Sequence, residues 1–159
     1  MQLNPGESYF LASKGLNETI DVMNGAMEQG LSPLLVSSVH PSLLRESYDL
    51  ETVPILWLSN IEWHHDAPLE KNIPLSDLNM LSNSINAFLA KPKTMAVLIF
   101  PEIADPETQW KYLKQVIGQA VASAKKSGSN FMLLLKSDEV KVEQLGFAES
   151  LMTGLKFKD

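Results

Sequence analysis

Two apolar runs decide the fold: TMAVLIF at 94–100 and NFMLLL at 130–135, joined by a long amphipathic stretch, ADPETQWKYLKQVIGQAVASAKKSGS, at 104–129. Neither run alternates apolar with polar residues, so each reads as a strand covered on both faces. Between them Asp105-Pro106-Glu107 is a helix entry, with Asp as cap, Pro at the first helical position and Glu in the first turn. Trp110, Leu113, Val116, Ile117, Ala120, Val121 and Ala124 then recur at helical spacing, and Gly128 is placed to end the helix. A buried strand, a helix and a second buried strand form one parallel crossover unit.

The pattern extends in both directions. Ser8–Ser13 (SYFLAS) is a short strand after a Pro-Gly turn signal. Asn17 is placed to cap a helix in which Leu16, Ile20, Met23 and Met27 form the core stripe, ended by Gly30. Pro33–Val39 is the second strand, and Pro41 opens a short helix with Leu43, Leu44 and Tyr48. Pro54–Ser59 (PILWLS) is the third strand, with Trp57 expected in the core, followed by a polar loop over Asn60–Asn72. Leu75, Leu78, Leu81, Ile85, Phe88 and Leu89 trace another helix, with Ser76 or Pro74 near its start. The tail from Asp138 reads as a weaker helix through Val142, Leu145 and Met152, with a short strand near Leu155–Phe157.

The expected architecture is therefore one three-layer α/β domain over residues 1–159. It has about five parallel strands with helices on both faces, Rossmann-like or degenerate RecA-like without a P-loop. A chain of 159 residues suits a single domain. With no cysteine, disulfides, zinc–thiolate sites and cysteine nucleophiles are excluded. The opening MQLNPGES has no basic and apolar leader pattern, and no apolar run approaches membrane-spanning length. Cytoplasmic localisation without membrane insertion is the expectation.

Thirteen cations against nineteen carboxylates leave a net charge of −6, so no nucleic-acid partner is expected. The charge is uneven. Residues 1–75 hold three cations and ten carboxylates, whereas residues 76–159 hold ten cations and nine carboxylates. An acidic surface that faces a partner or another copy follows from that division.

Ligands of such folds sit beyond the carboxyl ends of the strands. The candidate crevice is Ser13 and Lys14 after the first strand, His40 after the second, Ser59 after the third and Glu102 after the fourth. The eight glycines, at 6, 15, 25, 30, 118, 128, 146 and 154, match neither G-x-x-x-x-G-K-[ST] nor G-x-G-x-x-G. G-x-S-x-G and H-E-x-x-H are also missing. Glu62, Trp63, His64, His65 and Asp66 form the densest polar-aromatic cluster. Imidazole and carboxylate suit zinc or iron, but adjacent histidines on a loop diverge, so the cluster reads as an interaction surface rather than a metal site. No catalytic residue, metal or cofactor is expected.

The ordered stretches GESYF (6–10), HPSLLRESYDLETVPILWLSN (40–60) and IPLSDLNMLSNSINAFL (73–89) resemble the archaeal family called domain of unknown function 835. Pro41, Arg45, Tyr48, Pro54, Ile55, Trp57, Leu58, Pro74, Asp77 and Leu78 carry the resemblance. The chain departs from it at TMAVLIFPEIAD, where Pro101-Glu102 stands in place of an Asp-Gly motif. The resemblance implies an α/β sensory or regulatory module found beside signalling domains, and it supplies no catalytic residue. A non-catalytic signalling or protein-interaction module, working through protein partners or self-association, is the leading expectation. A small-ligand or nucleotide sensor using the strand-end crevice is the alternative, and a His40-dependent hydrolase or transferase is a third.

Overall fold

In the computed structural model the two deciding runs lie side by side near the middle of a seven-stranded parallel sheet. The structure describes residues 3–60, 69–101 and 106–155, and for 106–108 the backbone alone. In chain order the elements are β1 (Ser8–Ser13), α1 (Asn17–Glu28), β2 (Ser32–Ser37), α2 (Pro41–Ser47), β3 (Ile55–Leu58) and β4 (Glu70–Ile73). There follow α3 (Leu78–Leu89), β5 (Thr94–Ile99), α4 (Pro106–Ser127), β6 (Asn130–Lys136), α5 (Val142–Leu151) and β7 (Thr153–Gly154).

The sheet order is β4-β3-β2-β5-β6-β1-β7. β1 pairs with β6 and β7, whereas β2 pairs with β3 and β5. In the dinucleotide-binding order 3-2-1-4-5-6 the first strand lies beside the second. Here two strands separate them, so the sheet does not have the dinucleotide-binding order.

All six residues of β5 and the first six of β6 are buried, which explains why neither alternates. Successive side chains point to opposite faces and enter two cores. Ala96, Leu98, Phe131, Leu133 and Leu135 join α3, α4 and α5 on one face. Met95, Val97, Ile99, Met132 and Leu134 join α1 and α2 on the other. Gly30 (φ 96°) and Gly128 (φ 70°) end α1 and α4 in the left-handed conformation that favours glycine.

Seven strands replace the expected five. The polar loop over 60–72 contains β4, whose EKNI sequence buries only Ile73 fully. A charged, short edge strand of this kind carries no periodic apolar signal. β7 lies two residues before the expected closing strand, with Gly154 packed against the Phe10 ring. A Cβ there would stand 2.9 Å from Phe10 Cζ. One capping detail differs: Leu16 rather than Asn17 is the N-cap of α1. Asp77 caps α3, with Ser76 and Pro74 near its start as expected, and the expected cap Asp105 lies outside the described residues. Met23 is buried as expected, but Met27 is exposed at the far end of α1.

Polar contacts fasten the two chain ends to the sheet. Asn130, almost fully buried, donates through Nδ2 to the carbonyls of Asn4 (2.7 Å) and Glu7 (2.8 Å). Glu7 accepts from Thr153 Oγ1 of β7 (2.7 Å), from Asn4 Nδ2 (3.0 Å) and from the Tyr9 hydroxyl (3.1 Å). These bonds, the Thr153 one foremost, hold the Glu7 carboxyl below its ordinary value. A depressed carboxylate stabilises the fold above its unfolded pKa and loses that contribution as pH falls through the folded one. The melting-temperature gap between the wild type and Glu7→Gln is thus expected at pH 7 and should close as pH falls below 4.5, the ordinary value. A gap that does not shrink as pH falls below 4.5 removes Glu7 ionisation as its source.

Candidate functional site at the strand carboxyl ends

The expected crevice residues fall into two separate groups. β1 and β2 stand three strand spacings apart, about 14 Å across the sheet. Ser13 and Lys14 therefore belong to one end of the crevice, and His40 and Ser59 to the other. Glu102, like Glu62, Trp63, His64, His65 and Asp66, lies outside the described residues.

At the β1 end the chain turns from Ser13 into α1 within three residues. A helix N-terminus here presents free N–H groups and a positive dipole end, the usual place for a phosphate. The chain supplies its own anion instead. The Ser13 hydroxyl is buried and lies 2.7 Å from Glu18 Oε2, 2.9 Å from the Gly15 carbonyl oxygen and 3.4 Å from the Gly15 nitrogen. One hydroxyl has one proton, and the carboxylate is the stronger acceptor. The Ser13 bond first, and the backbone N–H of Glu18 second, hold the Glu18 carboxyl below its ordinary value. Glu18 is thus an anion fixed in the first turn of α1. A second anion brought to this turn would meet like charge.

At the β2–β3 end His40 serves the backbone. It is the N-cap of α2, and its Nδ1 accepts from the Ser42 N–H at 3.1 Å and lies 2.7 Å from the Ser42 hydroxyl. An acceptor Nδ1 places the ring proton on Nε2 in the neutral form. The ring stands edge-on to Trp57, with centroids 4.8 Å apart. Trp57 is buried and donates from Nε1 to the Ser38 carbonyl at 3.3 Å. Ser59 is placed by its backbone, which donates to Ile73 and accepts from Asn72 Nδ2. The cluster joins the exits of β2, β3 and β4. Among the described residues no group of three His, Asp or Glu could hold a metal ion.

A feature that the sequence reading missed lies at the exit of β5. Phe100, Trp110 and Phe147 form a chain of rings, with centroids 5.7 and 5.5 Å apart, and Lys114 Nζ sits 5.7 Å from the centre of the Trp110 ring. Leu75, Leu78, Pro101, Gln109 and Leu113 line a narrow gap too small for a water molecule. Trp110 headed the apolar stripe of α4, but Phe147 had no periodic signal, because α5 has little amphipathic character.

No family model matches the chain, and no curated protein matches it. Among solved structures, it is similar to that of the RadB recombinase. The likeness has a TM-score of 0.47 and 10% sequence identity, and it covers 93% of this chain and 72% of that one. Among the described residues, no helix is long and apolar enough to cross a membrane.

Proposed function

We propose that this chain is a non-catalytic interaction module that acts through protein partners or through copies of itself. One observation carries the reading. The first turn of α1, where this architecture would receive a phosphate, holds the chain's own Glu18 carboxylate, bonded to Ser13. The rest of the strand-end crevice agrees with it. His40 is engaged as a helix cap, and among the described residues Phe100 and Trp110 pack together at the β5 exit. The resemblance at residues 40–89 to a family of regulatory modules points the same way, and so does the concentration of acidity in residues 1–75.

Nucleotide binding is the test. A ligand at 100 times its dissociation constant adds about 2.7 kcal/mol, or roughly 5–11 °C for a chain of this size. Magnesium with adenosine or guanosine triphosphate, at millimolar concentration, is expected to leave the melting temperature unchanged. A rise of several degrees that Ser13→Ala or Glu18→Gln alters would place a nucleotide at the β1 exit and overturn the reading.

A further inference from the structure

α1 and α4, on opposite sides of the sheet, carry opposite charge, while α5 in the α4 layer adds two exposed acids, Glu143 and Glu149. α1 has three carboxylates, Glu18, Asp21 and Glu28, and no cation. Its layer continues through α2, with exposed Glu46, into a turn with exposed Asp49 and Glu51. α4, on the other side of the sheet, has four exposed lysines, Lys111, Lys114, Lys125 and Lys126, against one acid, Glu107. The charges are spaced to act together. Asp21 and Glu28 are two turns apart, and Lys114 and Lys125 are three turns apart, so each pair shares a helix face. Among the described residues, none of Asp21, Glu28, Lys111, Lys114, Lys125 or Lys126 is in an ion pair within the chain. Each layer also exposes large apolar side chains, Tyr112 on α4 and Met27 and Leu43 on α1 and α2.

We infer that copies of this chain associate head to tail, the lysine face of α4 on one against the carboxylate face of α1 and α2 on the next. This deepens the interaction-module reading and rests on it. The charge pattern chooses the geometry. A two-fold interface sets the same patch against itself, which would oppose lysine to lysine or carboxylate to carboxylate. Pairing unlike faces leaves one free face of each kind, so the association propagates beyond two copies.

Its strength is bounded by area. A helix of 22 residues is about 33 Å long and 10–12 Å wide, so α4 offers roughly 350 Å² per partner. That is under half of the ~800 Å² per partner of a stable complex. The association is accordingly weak, reversible and governed by salt, since exposed charges are screened within about 10 Å at 0.1 M and 3 Å at 1 M.

Sedimentation velocity of the full chain, up to about millimolar concentration, tests this. At about 20 mM salt the weight-average sedimentation coefficient is expected to rise with concentration past the dimer value, and at about 500 mM to return to the monomer value. Lys114→Glu with Lys125→Glu, and separately Asp21→Lys with Glu28→Lys, should each abolish the rise. An equimolar mixture of the two variants should restore it. A chain that stays monomeric at low salt, an association that stops at a dimer, or one that survives either reversal overturns the inference. So does a monomer that retains a DNA oligonucleotide through Lys114 and Lys125, which would assign the lysine face to nucleic acid. A monomer without a nucleotide shift defeats the self-pairing alone, whereas a nucleotide shift defeats the reading beneath it.

Discussion

Arg45→Ala is expected to cost about 3 kcal/mol of folding stability, although Arg45 lies in neither core. Arg45 rises from α2 and serves three acceptors at once, one on β4 and two in the loop before β3. Its Nε donates to Glu70 Oε1 of β4 at 2.7 Å, its Nη2 to the Val53 carbonyl at 3.1 Å, and its Nη1 to the Leu50 carbonyl. The Glu70 side chain is only 8% exposed and that of Arg45 only 23%. Alanine takes the guanidinium from a largely buried carboxylate and a donor from two carbonyls, and the partial exposure of Arg45 sets the cost at the low end for a broken buried pair. Lysine cannot fork toward three acceptors, so Arg45→Lys should recover less than half of the loss. Urea unfolding of both variants measures these effects. A loss below about 1 kcal/mol for Arg45→Ala would mean that solvent already screens the pair.

Phe131→Ala is expected to cost about 4 kcal/mol, or roughly 8–16 °C in melting temperature. Phe131 is wholly buried in β6, in register with Ala96 of β5 and Ser8 of β1. The same core holds small side chains above the sheet, Ala120 and Ala124 of α4 and Ala148 of α5. Small residues opposite a large ring fill space that no neighbour can reach once the ring is gone. Phe131→Leu keeps most of the volume and should cost no more than about 1.5 kcal/mol. Equal losses for the two substitutions would show that the site collapses around whatever is removed.

These two residues differ in how far the sequence reveals them. Phe131 lies in an unbroken apolar run, and burial on both faces was legible there, because solvent exclusion by both helical layers is recorded in local composition. Arg45 looked like one cation among carboxylates. Its partners are 5, 8 and 25 residues away, and only the folding of β4 against β3 brings Glu70 to it. The site shows the same division. His40 before Pro41 was recognisable as a strand end or cap, because capping acts within three residues. That Glu18 would fill the first turn of α1 was not legible. An acid there looks the same in sequence whether it faces solvent or bonds to the Ser13 hydroxyl.

The sequence by itself determined the alternation of strands and helices, the burial of β5 and β6, the lack of phosphate-binding glycine motifs and the uneven charge along the chain. Each of these is a local property, set by periodicity or by residue type. Only the tertiary structure decided the strand order, the separation of Ser13 from His40 and the placement of the acidic α1 and the basic α4 on opposite faces. Those depend on which strands pair across long stretches of chain, and backbone hydrogen bonds carry no residue identity that would announce the choice.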